Sequence, residues 1–126
     1  MSPRHQKSLQ GRRILIVEDE PFIAFDLADA VEGAGGEVVG PAMSISEARR
    51  LLHEAPVEAA ILDVDLPDGT IEPVVAELVA RQVALVIHTG AGLTPQLAAT
   101  YPQLDVFSKP TAVTTLTEVL ASRLGA

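Results

Sequence analysis

The chain has no cysteine. That excludes a disulfide framework and any thiolate metal site, and makes a reducing cytoplasm the expected compartment. Tryptophan is absent too, and three Phe and one Tyr are the only aromatic side chains. So few rings cannot build a base-stacking surface, and a net charge of −8 opposes the phosphate backbone. Nucleic acid is therefore not an expected partner. No apolar run approaches the ~20 residues that a membrane helix needs. The opening "MSPRHQKSLQGRR" also lacks the apolar stretch of a secretory signal, so no membrane partner is expected.

At 126 residues the length suits one domain, able to bury roughly two-thirds of its unfolded surface without staples. Positive charge is unevenly placed, since Arg4, Lys7, Arg12 and Arg13 supply four of the nine basic residues. Residues 1–12 accordingly read as a flexible basic tail, and 13–126 as the folded domain.

From residue 13 the pattern alternates between strand and helix. "RILIVEDE" is an apolar run of strand length that ends in acids, and "PFIAFDLADAVEGAGG" follows with helical periodicity. Pro21 suits a first helical turn and Gly35-Gly36 a stop. "EVVGPAM" is a weaker strand, and "SISEARRLLHEA" opens with Ser44 and Glu47 spaced as a capping box. "EAAILDVD" is a third strand, then come an "LPDGT" turn and the helix "IEPVVAELVARQ". "ALVIHTG" and "LDVFSKP" read as the fourth and fifth strands, separated by the poorly patterned "LTPQLAATYPQ", where a short fourth helix is expected. "TAVTTLTEVLASRL" closes the chain as an amphipathic helix.

Strands 1, 3 and 4 are continuously apolar rather than alternating, as expected when helices cover both faces of a parallel sheet. The pattern predicts an α/β fold: a five-stranded, parallel, doubly wound (flavodoxin-like) sheet with order 2-1-3-4-5. In such sheets ligands bind beyond the carboxyl ends of the strands. Those ends deliver Glu18 and Asp19 from strand 1, Asp63 from strand 3, Thr89 from strand 4 and Lys109 from strand 5.

Each of these residues alone has an ordinary reading as a turn, cap or surface residue; their joint placement on one edge carries the chemistry. Three carboxylates at ~4 Å repel by several kcal/mol, even at an effective dielectric near ~20, so a cation among them is expected. Magnesium fits, because it takes hard oxygen ligands together with water and phosphate. Lys109 is a point charge suited to a phosphoryl oxygen. Asp63, central and preceded by "AAIL", is the candidate nucleophile, and attack on phosphorus would give an aspartyl-phosphate.

At these residues the chain resembles the receiver domain of bacterial response regulators, the CheY-like family. "ILIVEDE", "ILDVDLPDG", "VIHTG" and "FSKP" match in kind, order and spacing. The resemblance implies that Glu18 and Asp19 form the acidic pair holding Mg2+ and that Asp63 accepts the phosphoryl group. It makes the backbone carbonyl of Asp65 a further metal ligand, and Thr89 and Lys109 the pair that grips the phosphoryl group. It implies a stand-alone signalling protein rather than an enzyme, with only self-phosphorylation and slow self-dephosphorylation. The implied partners are a histidine kinase or phosphotransfer protein and a downstream protein target, with a homodimer through the fourth and fifth helices also compatible.

Two departures stand out. The aromatic usual three residues before the lysine is replaced by Val106, while Phe107 has the opposite strand parity. Thr89 is followed by Gly90 rather than Ala. The Thr-Gly step and the missing aromatic resemble the FATGUY subgroup of single-domain receivers, which implies kinases of the HWE or HisKA2 type.

Two other functions compete. "DVDLPDGT" resembles the nucleophile loop of haloacid-dehalogenase-like phosphatases. There the loop follows the first strand, whereas here it follows the third, and Leu66 and Pro67 break the spacing. A receiver-like interaction module that is never phosphorylated would have no reason to hold three mutually repelling carboxylates. His88, inside an apolar strand, reads as a packed, hydrogen-bonded residue, and no zinc-type spacing is evident.

Overall fold

The computed structural model describes residues 8–125. Its elements run β1 (Arg13–Val17), α1 (Pro21–Gly33), β2 (Glu37–Ala42), α2 (Ile45–Glu54), β3 (Ala59–Leu62), β4 (Asp65–Leu66), β5 (Gly69–Thr70), α3 (Glu72–Ala80), β6 (Ala84–Thr89), α4 (Pro95–Thr100), β7 (Asp105–Ser108) and α5 (Val113–Arg123). The main sheet is parallel with order β2-β1-β3-β6-β7. That is the expected 2-1-3-4-5 order. The numbering differs because the "LPDGT" turn carries a two-stranded antiparallel ladder, Asp65 opposite Thr70 and Leu66 opposite Gly69.

Side chains alternate across the sheet and feed two cores. Leu15, Val17, Ala60, Leu62 and Ile87 face one way and pack with Ala48 and Leu52 of α2 and Val74, Val75 and Leu78 of α3. Ile14, Ile16, Ala59, Ile61 and Val86 face the other and pack with Leu27 and Val31 of α1 and Leu116 and Leu120 of α5. Both faces of β1, β3 and β6 are therefore covered, which is why those strands carry no polar alternation.

Helix ends follow local chemistry. After α1, Gly35 N–H donates to Glu32 O at 2.9 Å and Gly36 N–H to Val31 O at 2.9 Å, the paired bonds of a Schellman stop. Gly35 has φ +89°, which suits glycine at that step. At α2 the capping box is only half realised. Ser44 Oγ accepts from Glu47 N–H at 3.1 Å, but Glu47 reaches past Ser44 to the N–H of Met43 at 2.9 Å. The α2 amino end is also held from a distant turn, since the Asp68 carboxylate accepts from Ile45 N–H at 2.8 Å and Ser46 N–H at 3.1 Å. These two bonds lower the Asp68 carboxyl below its ordinary pKa. In β2, Gly40 has φ +102°, and a Cβ there would lie 2.6 Å from Ala42 N. No other residue fits.

Helix α4 is six residues long, as the weak pattern of its segment implied. Of the tail expected over 1–12, residues 1–7 lie outside the described residues. Residues 8–11 form a turn in which Leu9 is fully buried, with its N–H on Ala34 O at 2.9 Å. Burying one Leu contributes roughly 2 kcal/mol, so the packed body reaches back past the boundary expected at residue 13. Among the described residues, no helix is long and apolar enough to cross a membrane.

Candidate functional site

The carboxyl ends of the parallel strands set the site. Glu18 follows β1, Asp63 follows β3, Thr89 closes β6 and Lys109 follows β7. Glu18 N–H donates to Ala42 O and Asp63 N–H to Val17 O, both at 2.9 Å, so the ladder's last bonds fix the two acids side by side. Lys109 N–H donates to Thr89 O at 2.9 Å and fixes the other two in the same way.

Glu18, Asp19 and Asp63 each offer a carboxylate oxygen, and these lie within 4.8 Å of one another. The cluster is largely out of solvent, with Glu18 only 1% and Asp63 6% exposed. Charges so close and so dry need a counterion, and the protein supplies one. Lys109 Nζ donates to Asp63 Oδ2 at 3.0 Å, Glu18 Oε2 at 3.1 Å and Glu20 Oε2 at 2.9 Å. Asp63 Oδ1 accepts from Val64 N–H at 2.7 Å.

One ammonium does not neutralise the whole group. Burial is the main cause that pushes the Glu18 carboxyl up to about 7, helped by the charge of Asp63 and opposed by the Glu20 N–H and Lys109. Burial acts against the Lys109 cation too. Its bonds to Glu20, Asp63 and Glu18 outweigh that, and its proton is held more tightly than usual. Glu18 Oε1 is buried without any hydrogen-bond partner. An acceptor in that state fits either a proton or a hard cation, so the donor set suits a small divalent ion.

The other expected residues fall into place with differences. Thr89 is buried at the same edge, but its hydroxyl is engaged locally, accepting from Ala91 N–H at 3.2 Å and donating to Gly92 O at 3.3 Å. The Asp65 side chain is exposed and outside the acidic cluster, leaving its main-chain carbonyl as what it could offer a metal. His88 is buried, accepts from Thr111 N–H at 3.4 Å through Nε2, and has its pKa lowered by burial and by the nearby Lys109 charge. Val106 is 39% exposed while Phe107 packs with the α1/α5 core, as strand parity required.

Glu20 was not among the residues singled out from the sequence. Nor was Glu72, which accepts from the hydroxyls of Thr70 and Thr94 and so ties the segment after Asp63 to the segment after Thr89. Both acids sit where a helix begins, a position at which an acid is ordinarily read as a cap.

No family model matches the chain. Among curated proteins, the phyllosphere-induced regulator PhyR of Methylorubrum extorquens is 47% identical over 58 residues, which cover 45% of this chain and 22% of that protein. The transcriptional regulatory protein PdtaR of Mycobacterium tuberculosis is 33% identical over 76 residues, 60% of this chain and 37% of that one. The chain thus spans well under half the length of these curated relatives. Among solved structures, SdrG from Sphingomonas melonis Fr1 is 32% identical with a TM-score of 0.73, over 90% of this chain and 97% of that one. It has also been solved in a BeF3-activated conformation, with a TM-score of 0.68. With that match over nearly the whole of SdrG, and a TM-score of 0.79 at 25% identity to a response regulator receiver domain protein (CheY-like) from Methanospirillum hungatei JF-1, the chain belongs to the response-regulator receiver (CheY-like) family of two-component signalling.

Proposed function

We propose that this chain accepts a phosphoryl group from a histidine kinase onto Asp63, in a magnesium-dependent reaction, and signals by binding a partner or passing the phosphoryl group on. The observation that carries the reading is the setting of Asp63. It is a nearly buried carboxylate fixed by its own strand, bonded to an ammonium and adjacent to two further acids. In this reading the chain is a stand-alone signalling protein that takes one phosphoryl group on Asp63 and turns over no other substrate. The BeF3-activated form of SdrG supports the same reading by likeness.

Phosphoryl transfer asks mostly for positioning and charge neutralisation. Asp63 attacks phosphorus in line with the departing group, and Val64 N–H keeps its other oxygen oriented. Lys109, already 3.0 Å from Asp63, meets the incoming phosphoryl oxygens. The Thr89 hydroxyl can exchange its bonds within the 89–92 segment for a phosphoryl oxygen, which would release that segment and the α4 that follows it. Glu18, Asp19, Asp63 and the carbonyl of Asp65 would hold Mg2+, which when bound offsets the negative charge of acids and phosphoryl group together.

With Val106 in place of the aromatic, α4 and its loop are the element that reorganises. This agrees with a FATGUY-type receiver served by an HWE or HisKA2 kinase, in the cytoplasm. A homodimer through α4 and α5 would be compatible with this role. The exposed Asp65 side chain speaks against the phosphatase reading, whose nucleophile loop carries its second acid two residues after the nucleophile.

Intact mass after incubation with acetyl phosphate and magnesium tests the proposal. One phosphoryl adduct is expected, absent in Asp63→Ala and blocked by EDTA. An unmodified wild type, or an adduct that survives in Asp63→Ala, would overturn it.

A further inference from the structure

We propose that Glu20 is a positioning residue for Lys109, holding its ammonium over Asp63 rather than capping the helix it precedes. The inference rests on the phosphoacceptor reading of Asp63. Glu20 is the N-cap of α1, where a carboxylate ordinarily accepts from the first-turn N–H groups. Its side chain makes no such bond. It turns instead to a residue 89 positions away, placing Oε2 2.9 Å from Lys109 Nζ, the shortest of that ammonium's three contacts.

An ammonium has three donors, and here each meets a different carboxylate. The partners are unequal. The side chains of Glu18 and Asp63 are 1% and 8% exposed and form the floor, whereas that of Glu20 is 59% exposed and closes the solvent side. Without it, the flexible four-carbon stem of Lys109 has an open path to water. Glu20 also donates its N–H to Glu18 Oε2 at 3.2 Å, so one residue ties both the buried acid and the cation that serves it. Because this is an exposed ion pair, its removal should scarcely change global stability. A reaction that depends on a placed charge is more sensitive to the loss.

The chain has two lysines, Lys7 and Lys109, which makes the position of the ammonium directly measurable. Wild type, Glu20→Ala and Glu20→Gln are acetylated with trace N-hydroxysuccinimide acetate in EDTA, and the Lys109/Lys7 labelling ratio is read by peptide mass spectrometry. The ratio should rise about two- to fivefold in Glu20→Ala, the range an exposed ion pair commands. It should rise less in Glu20→Gln, which keeps an acceptor oxygen, with the thermal midpoint unchanged in both. Phosphorylation by acetyl phosphate should slow by a similar factor in Glu20→Ala at saturating donor, with half-saturation unmoved and partial recovery in Glu20→Gln. An unchanged labelling ratio, or a raised ratio with an undiminished phosphorylation rate, overturns the proposal. If the wild type takes no phosphoryl group, the phosphoacceptor reading of Asp63 fails instead, while the labelling ratio, measured without any phosphodonor, still decides whether Glu20 holds Lys109.

Discussion

Replacing Glu18 by Gln should stabilise the metal-free protein at pH 8 and leave it almost unchanged at pH 4.5. The Glu18 carboxyl, ordinarily at 4.5, is pushed up to about 7, chiefly by burial. The folded state therefore holds this proton more tightly than the unfolded chain does. Stability from that preference is fully present below 4.5 and is lost as pH rises through 7. A displacement from 4.5 to about 7 is worth on the order of 3 kcal/mol across that window. Gln fills the same space and never ionises, but accepts a weaker bond from Lys109, so a net gain of roughly 1–3 kcal/mol at pH 8 is expected. In a domain of this size each kcal/mol moves the thermal midpoint by roughly 3–6 °C.

The assay is thermal unfolding in EDTA from pH 4.5 to 8.5, compared as the difference between wild type and Glu18→Gln at each pH. The difference matters because His88 acts in the opposite sense. Burial lowers its pKa from 6.5, so its contribution is lost as pH falls through the folded value. Taking wild type against variant removes that common term. Asp68, with a lowered carboxyl, acts only below 3.8, and Lys109 only above 10.5. A stability difference that stays flat over the range, or a variant less stable than wild type at pH 8, would refute the reasoning.

Two further outcomes follow from the same contacts. Lys109→Ala removes the ammonium shared by two buried acids, so at pH 8 without magnesium it should lose about 3–5 kcal/mol in a denaturant titration. A smaller loss at pH 5, where Glu18 is protonated, is the accompanying sign. Thr94→Ala deletes both the cap that accepts from Leu97 N–H at 3.1 Å and the bond to Glu72 at 2.7 Å. It should cost about 1 kcal/mol and speed amide exchange at Ala98 and Tyr101 while leaving α5 protected.

What could be read from the sequence was whatever the chain encodes locally. Strands 1, 3 and 6 announce themselves by unbroken apolar runs because both of their faces are covered. The strand-end residues Asp63, Thr89 and Lys109 follow from counting to the end of each run. Glycine stops and Ser44 report helix ends because their bonds span only a few residues. What escaped is held by partners far along the chain. Asp68 looks like a turn residue in Pro-Asp-Gly, yet it caps a helix 23 positions earlier. Leu9 is a lone apolar residue in a polar, basic stretch, and periodicity has nothing to count there. Its burial depends on the cleft beside Ala34, which exists only once α1 has packed.

The same distinction bears on the charge balance of the site. Three strand-end acids require a counterion, and sequence spacing alone made a bound metal the natural source. The folded chain brings its own cation first, because β7 delivers Lys109 to the edge where β1 and β3 deliver Glu18 and Asp63. One ammonium bonds to Glu18, Glu20 and Asp63, and Asp19 adds a further acid to the cluster, so the resting site remains short of positive charge. The elevated Glu18 carboxyl and the unpartnered Oε1 are two expressions of that deficit: a proton is held where a second cation is lacking. A divalent ion entering the cluster has to displace that proton, so its affinity should climb with pH up to about 7 and level off above it. Isothermal titration with magnesium at pH 6, 7 and 8 measures the slope, and an affinity independent of pH would mean that Glu18 is not among the groups the ion meets.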